Sequence, residues 1–257
     1  MMNDKQLPTD VLTAMGFCVE RILESHEGHE KRADLLVRDG QSTYLIEIKH
    51  KLDNEELFRD CAERLDRGEE VYREDPLACN NTIKGILSGA CTQLKSTPAP
   101  LDSYRLIWFH AAGVDHELHR KRAFATFYGS VHLWSKDPPG GDIDCFYFDY
   151  NAAWSMRDVE AMVLTDGRDI QLCLNEFSHQ LGAFRTSRLY QEFATRGGVV
   201  DPIQLARDGA VLACRSDVPR KDEDVILCAL REQTGTLYLV IRPKQCSVFV
   251  KVDSNLT

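Results

Sequence analysis

No apolar run in this chain approaches the ~20 residues that cross a bilayer, so no membrane partner is expected. The opening Met-Met-Asn-Asp-Lys-Gln lacks the apolar core of a signal peptide, and a cytoplasmic location is the expectation. The nine cysteines are odd in number and contain no Cys-x-x-Cys pair, which argues for reduced thiols used mostly as small core residues. Neither Gly-x-x-x-x-Gly-Lys nor Gly-x-Ser-x-Gly is present, and no repeat or low-complexity segment appears. Net positive charge is missing too. At −9 the chain lacks the basic footprint usual in nucleic-acid enzymes. Residues 52–77, with ten acids and four arginines, hold −6 of that total, so the remainder is near neutral and can present a local basic surface. Tight non-specific binding to DNA is not expected.

What the chain does contain is enough apolar sequence, 43% of 257 residues, for one large domain or two small ones. Its most informative stretch runs from Arg32 to Lys51 and reads as two strands joined at Asp39-Gly40-Gln41-Ser42, since Asp-Gly is a strong turn signal. Strand periodicity places Leu35, Val37, Tyr44, Ile46 and Ile48 on one apolar face. The other face carries Asp34, Glu47 and Lys49, with Leu36 and Leu45 nearer the turn. Symmetry about the Gly40–Gln41 bond sets Asp34 opposite Glu47, where Cβ atoms lie about 4.5–5.5 Å apart and like charges destabilise. Two carboxylates so placed call for a cation, and Mg²⁺ bound through one or two carboxylates and substrate phosphate oxygens meets that need. Lys49 brings an ammonium to the same face. Acid, acid and lysine around a metal suit phosphodiester hydrolysis. The plainer alternative is a solvated hairpin face on which Lys31, Arg32 and Lys49 merely neutralise two acids.

Ala33-Asp34 followed by Glu47-Ile48-Lys49 resembles the signature of the PD-(D/E)XK, or restriction-endonuclease-like, nuclease superfamily. The resemblance implies metal binding by Asp34, Glu47 and the Ile48 carbonyl, with Mg²⁺ or Mn²⁺ as cofactor, and a catalytic role for Lys49. Ala33 departs from the proline frequent at its position, which removes no ligand. In the resembling nucleases the helix after the Glu-x-Lys strand often carries a glutamine facing the site. Here Asn81–Lys95 is the expected helix, with Ile83, Ile86, Leu87, Ala90 and Leu94 as its buried stripe and Gln93 as the candidate. Gly85, Gly89 and Gln93 form a row four apart. Two interior glycines cost about 1 kcal/mol each, so something is expected to pack close to that row.

Pro8–Met15 reads as an opening helix with Thr9 as cap and Gly16 as stop, and Cys18–Leu23 as a first strand. Glu20 or Asp10 is a source of an extra carboxylate, with solvent-facing acids as the plainer reading. His26 and His29 fall in a polar loop, and His50 on the apolar side of the hairpin. Residues 53–75 are expected to form an amphipathic helix through Leu57, Phe58, Cys61 and Leu65, ended by Pro76 and inserted as a lid, a partner-binding element or a solvated helix. Ser103–His110 reads as a buried strand, and Asp115 as the cap of a helix to Phe127. Arg120, Lys121 and Arg122 give that helix a basic stretch for phosphates, with a solvated face as the plainer reading, while Asp115-His116-x-x-His119 is a weak metal spacing. Val131–Trp134 is a further strand.

The chain breaks most clearly at Pro138-Pro139-Gly140-Gly141. Beyond it strands are expected at Cys145–Phe148, Val159–Leu164, Ile170–Leu174, Asp224–Leu230, Thr236–Ile241 and Ser247–Val252. Helices are expected at Ser187–Arg196 and from Asp201-Pro202 onward. The fold implied is α/β. A restriction-endonuclease-like αβββαβ core occupies 1–137 with its acidic insertion at 53–77, and a mixed, strand-rich region follows at 142–257. That region is expected to extend the sheet, cover the core, recognise substrate or make an oligomer contact. The function implied is a metal-dependent endonuclease on DNA rather than RNA, as a restriction or defence effector with a protein partner or as a homodimer. The rival is a nuclease-like scaffold that binds without cutting, and a third reading makes the chain a structural partner docking through 53–75.

Overall fold

A computed structural model describes residues 6–23, 32–100, 102–137 and 140–249. The chain enters through helix α1 (Gln6–Ala14), which begins before Thr9 and is followed by Gly16 in the left-handed region at φ +82°. Strand β1 (Cys18–Arg21) is shorter than the expected Cys18–Leu23, and the hairpin β2 (Leu35–Arg38) and β3 (Thr43–Lys51) follows. Its turn closes for local reasons. Gly40 takes φ +91°, and the Asp39 carboxylate accepts the N–H groups of Gln41 at 2.9 Å and Ser42 at 2.7 Å. The buried Tyr44 hydroxyl donates to the other Asp39 oxygen at 2.7 Å, which ties the turn to the core. Leu35 pairs with Ile46 and Val37 with Tyr44, the register that symmetry about Gly40–Gln41 demands.

Helix α2 (Glu55–Asp66) is capped by Asn54, and strand β4 (Val71–Pro76) follows a turn at Gly68. The single helix expected over 53–75 is therefore corrected to a helix and a strand. Apolar residues at helical spacing stop at Leu65, and from Val71 onward burial alternates. Next come helix α3 (Asn81–Ser96), strand β5 (Tyr104–Ala111), helix α4 (His116–Tyr128), and strands β6 (Val131–Ser135) and β7 (Gly141–Phe146). Short helix α5 (Ala152–Ser155) leads to β8 (Ala161–Thr165) and β9 (Ile170–Leu174), then to helices α6 (Leu181–Phe184) and α7 (Arg188–Thr195). The remainder is β10 (Val199–Val200), α8 (Pro202–Arg207), β11 (Val211–Ala213), α9 (Glu223–Thr234), β12 (Tyr238–Ile241) and β13 (Lys244–Phe249). The strand expected at Asp224–Leu230 is corrected to helix α9. Asp222 caps it, and Ile226, Ala229 and Leu230 share one buried face.

The main sheet has seven strands in the order β1-β2-β3-β5-β8-β9-β10. The first three are antiparallel, β5 and β8 run parallel to β3, and β9 turns back. The succession α1-β1-β2-β3-α3-β5 is present as the sequence predicts, with α2 and β4 inserted into it. Strand β6, which the expected 1–137 unit includes, does not join this sheet. It belongs to a four-stranded sheet, β11-β7-β6-β12, and the place beside β5 is filled by β8. Burial explains the choice: β8 is buried along its whole length, as a strand covered on both faces must be, whereas β6 buries alternate residues. The chain on either side of the proline-glycine break thus shares both sheets, Pro138 and Pro139 themselves lying outside the described residues. Strand β13 pairs with β4 and so binds residues 244–249 to the insertion.

One face of the main sheet packs Leu35, Tyr44, Ile46 and Trp108 against Leu12 of α1 and Leu189 and Phe193 of α7. The other packs Leu45, Ile107 and Phe109 against Leu87 of α3 and Phe127 of α4. Five of the nine cysteines are buried, and all nine are free thiols. Among the described residues no helix is long and apolar enough to cross a membrane.

Candidate active site

By strand alternation Glu47 shares the parity of Leu45 and lies on the face covered by α3. Asp34 stands just before β2. Its N–H donates to the Ile46 carbonyl at 3.1 Å and its own carbonyl accepts the Ile22 N–H at 3.0 Å. Its carboxylate reaches across the hairpin to accept the Ile48 N–H at 2.9 Å. Ile48, whose carbonyl is the expected third ligand, sends its side chain into the core of the opposite face.

Glu47 is 1% exposed. Its Oε1 receives the Lys49 ammonium at 2.6 Å, while Oε2 is buried and has no hydrogen-bond donor. Burial pushes the Glu47 pKa up to about 7. The Lys49 ammonium works against that rise, and the Asp34 charge adds to it. Lys49 Nζ also donates to Gln93 Oε1 at 2.6 Å, so α3 brings Gln93 to the Lys49 ammonium. The two hairpin residues and α3 are joined at one ammonium.

A second tie holds α3 in place. Thr97 Oγ1 accepts the Ala33 N–H at 2.7 Å and donates to the Gln93 carbonyl at 2.7 Å. Proline at position 33 would have no N–H for that bond, which gives the alanine a positioning role. Sequence reading missed Thr97. Its available signal was a hydroxyl four residues after Gln93, immediately before Pro98, where α3 has to end.

Asp34, Glu47 and the Ile48 carbonyl carry hard oxygen donors of the kind that takes Mg²⁺ or Mn²⁺. The orphaned Glu47 Oε2 fits such an ion, because a buried carboxylate oxygen without a donor is costly until a cation or proton meets it. Among the described residues no third His, Cys, Asp or Glu gathers into a metal-sized group. The remaining positions around an ion would belong to water and substrate oxygens.

Other residues singled out from sequence lie elsewhere. Glu20 pairs with Arg38 at 2.5 Å, and Asp10 accepts from Gln6 on α1, which packs on the opposite face. His50 is half-buried with its ring 5.3 Å from that of His110. His26, His29 and Lys31 lie outside the described residues. The basic stretch on α4 is paired with acids: Arg120 with Asp166, Lys121 with Glu117 in an exposed pair along the helix, and Arg122 with Asp75. His119 sits against Asp53 at 3.2 Å and His116 contacts the Gly113 carbonyl, so the metal spacing is not used as one. Asp115 makes no side-chain cap bond, because Arg73 of β4 engages its carboxylate. Gly85 and Gly89 are exposed, and a Cβ on either would meet nothing within 4 Å, so no atom of the described chain packs on their row. No protein-family model, curated protein or solved structure matches the chain.

Proposed function

We propose that this chain is a metal-dependent endonuclease with a PD-(D/E)XK-type core, hydrolysing phosphodiester bonds of DNA, and RNA less readily, in the cytoplasm. The observation that carries the reading is the meeting of Lys49 with Glu47 and Gln93, each at 2.6 Å, beside Asp34 and an undonated carboxylate oxygen. Asp34, Glu47 and the Ile48 carbonyl would hold Mg²⁺ or Mn²⁺, which when bound supplies Lewis acidity and an activated water. Glu47, with its pKa pushed up to about 7, is partly protonated at neutral pH and would have to release that proton to hold a cation. Lys49 orients the attacking oxygen and offsets negative charge gathering on the scissile phosphate. Gln93 fixes the Lys49 side chain from α3. Cutting both strands of a duplex calls for two such sites, which suits a homodimer or a protein partner. A role in restriction or defence follows from the family analogy.

The test is incubation of the purified protein with plasmid DNA and Mg²⁺ or Mn²⁺, beside Lys49→Ala and Glu47→Ala. Metal-dependent cutting by the wild type and loss in both variants is expected. Equal cutting by all three places the activity at another site. No cutting with either metal, together with no thermal stabilisation by the metals, favours the non-cutting scaffold.

A further inference from the structure

A cavity of about 600 Å³ lies between the segment after β7, the turn after β9 and the loop joining β11 to α9, and none of its lining residues belongs to the site above. Tyr147 stands in its wall. It is 2% exposed and, among the described residues, is the one non-glycine with positive φ, at +60°. That conformation is uncommon for a bulky side chain, and strain of this kind gathers at ligand sites. The Tyr147 hydroxyl is buried without a hydrogen bond of ordinary length. Burial, and after it the charge and a long hydrogen bond of the nearby Glu176, push its pKa far up, so it is a neutral donor whose nearest acceptor is Glu176.

The rest of the lining narrows the ligand. Phe177 packs edge-to-face with Tyr147 on one side and Trp154 on the other, each at 4.9 Å between ring centroids. Trp154 is 52% exposed, far more than an indole placed only for packing needs. Arg215 pairs with Glu176 at 3.1 Å. Arg220 donates to the Cys214 sulfur and carbonyl and to the Ser216 carbonyl, all neutral acceptors, and no acid among the described residues pairs with it. A cationic ligand is disfavoured. The ring of Trp154 already carries Arg157 at 4.7 Å, and that of Tyr150, also in the lining, carries Lys84 at 3.6 Å. A purely apolar ligand would leave the Tyr147 hydroxyl unpaired. A planar ring with a polar edge and an anionic group suits the aromatic rings and Arg220, while the two acids of the lining, Glu176 and Asp217, offer acceptors to the polar edge.

We propose that this cavity binds a nucleotide, its base against Trp154 and Phe177, its base edge at Tyr147 and Glu176, and its phosphate toward Arg215 and Arg220. The volume lies within the ~300–1,000 Å³ of small-molecule sites, and aromatic side chains stack on any base. The nucleotide is either free in solution or unstacked from a strand, and the chemistry of recognition is the same. The proposal stands apart from the nuclease reading, since neither Lys49 nor a metal takes part.

Calorimetric titration of the full chain, without divalent metal, with each 5′-mononucleotide to millimolar concentration and with a short single-stranded oligonucleotide tests it. Saturable binding is expected, weakened about tenfold or more by Trp154→Ala through lost stacking. Tyr147→Phe is expected to weaken binding while leaving the melting temperature of the free protein nearly unchanged, because no hydrogen bond of ordinary length is lost there. Binding of mononucleotides identifies a free nucleotide as the ligand. Binding of the oligonucleotide alone, with sensitivity to both substitutions, identifies a base presented by a strand. Absence of saturable binding by either probe, or binding that both substitutions leave intact, overturns the proposal.

Discussion

Two glutamates buried at the main sheet look alike by exposure and differ in what surrounds them. Glu47 and Glu160 are each 1% exposed, and burial is the largest cause that pushes each pKa up to about 7. Glu160 precedes β8 and is satisfied by its surroundings. One carboxylate oxygen takes the Arg105 N–H and the other the Ser178 hydroxyl at 3.2 Å, while its backbone bonds to Arg105 and Asn175 at 2.9 Å. It braces β5, β8 and the turn after β9. Glu47 has one oxygen on Lys49, none on the other, and Asp34 beside it. Burial leaves a cost on the charge of both carboxylates, but at Glu160 each oxygen has a protein donor and at Glu47 one oxygen has none. A brace needs nothing further, whereas the undonated oxygen of Glu47 is what the proposed metal would meet.

The sharpest way to break this comparison is to exchange the two effects by substitution. Glu47→Gln keeps the shape and removes the charge, and it is expected to lower the proposed metal-dependent cleavage by roughly 10²-fold or more, the scale on which a preorganised charged group acts. Its stability at pH 8 should be unchanged or higher, since the undonated oxygen goes with it. Glu160→Ala should do the reverse. Cleavage per folded molecule persists, while urea denaturation shows a loss of about 1–3 kcal/mol because the Arg105 N–H loses its acceptor. Loss of cleavage in Glu160→Ala with unchanged stability would remove the distinction.

Acid–base titration of stability sharpens the same contrast. Both glutamates have folded pKa values above the ordinary 4.5, so the folded protein holds protons that the unfolded chain releases between those values. The stabilisation is fully present below pH 4.5 and is lost as pH rises through about 7. Each Glu→Gln variant should flatten its own share of that slope. Mg²⁺ distinguishes them, because a cation can replace the proton only at Glu47. Saturating Mg²⁺ is expected to stabilise the wild type and Glu160→Gln above pH 7 by roughly 1–3 kcal/mol, to do little near pH 5, and to leave Glu47→Gln unmoved.

Glu47, Lys49, Asp34 and Gln93 were legible in the sequence because each is fixed locally. The Asp39-Gly40 turn sets the register, alternation assigns the face, and four-residue spacing places Gln93 on its helix. Glu160 was not legible, since its donors come from β5 and from the turn after β9, and nothing near it announces that β8 lies beside β5. The same holds for β4, whose partner β13 lies 170 residues away at the Lys244–Glu74 contact. The basic stretch on α4 looked free because Asp75 and Asp166, which neutralise part of it, belong to distant segments. Helix α9 was misread for another reason. The run Val225-Ile226-Leu227 suits a strand, and the Asp222 cap decides otherwise.

The smallest expected effect concerns the row that leads to Gln93. Glycines at 85 and 89 weaken α3 by about 1 kcal/mol each relative to alanine, and their spacing predicts a close neighbour that would justify the cost. The described chain supplies none, for a Cβ added at either position enters open space. Like the second oxygen of Glu47, the row carries a cost that no protein contact offsets. Gly85→Ala and Gly89→Ala should therefore each raise unfolding stability by up to ~1 kcal/mol, and nearly additively, since neither has a partner to lose. Urea denaturation of the double variant measures this directly. A loss of stability instead would mean that something does lie against this face of α3, as the spacing alone predicts.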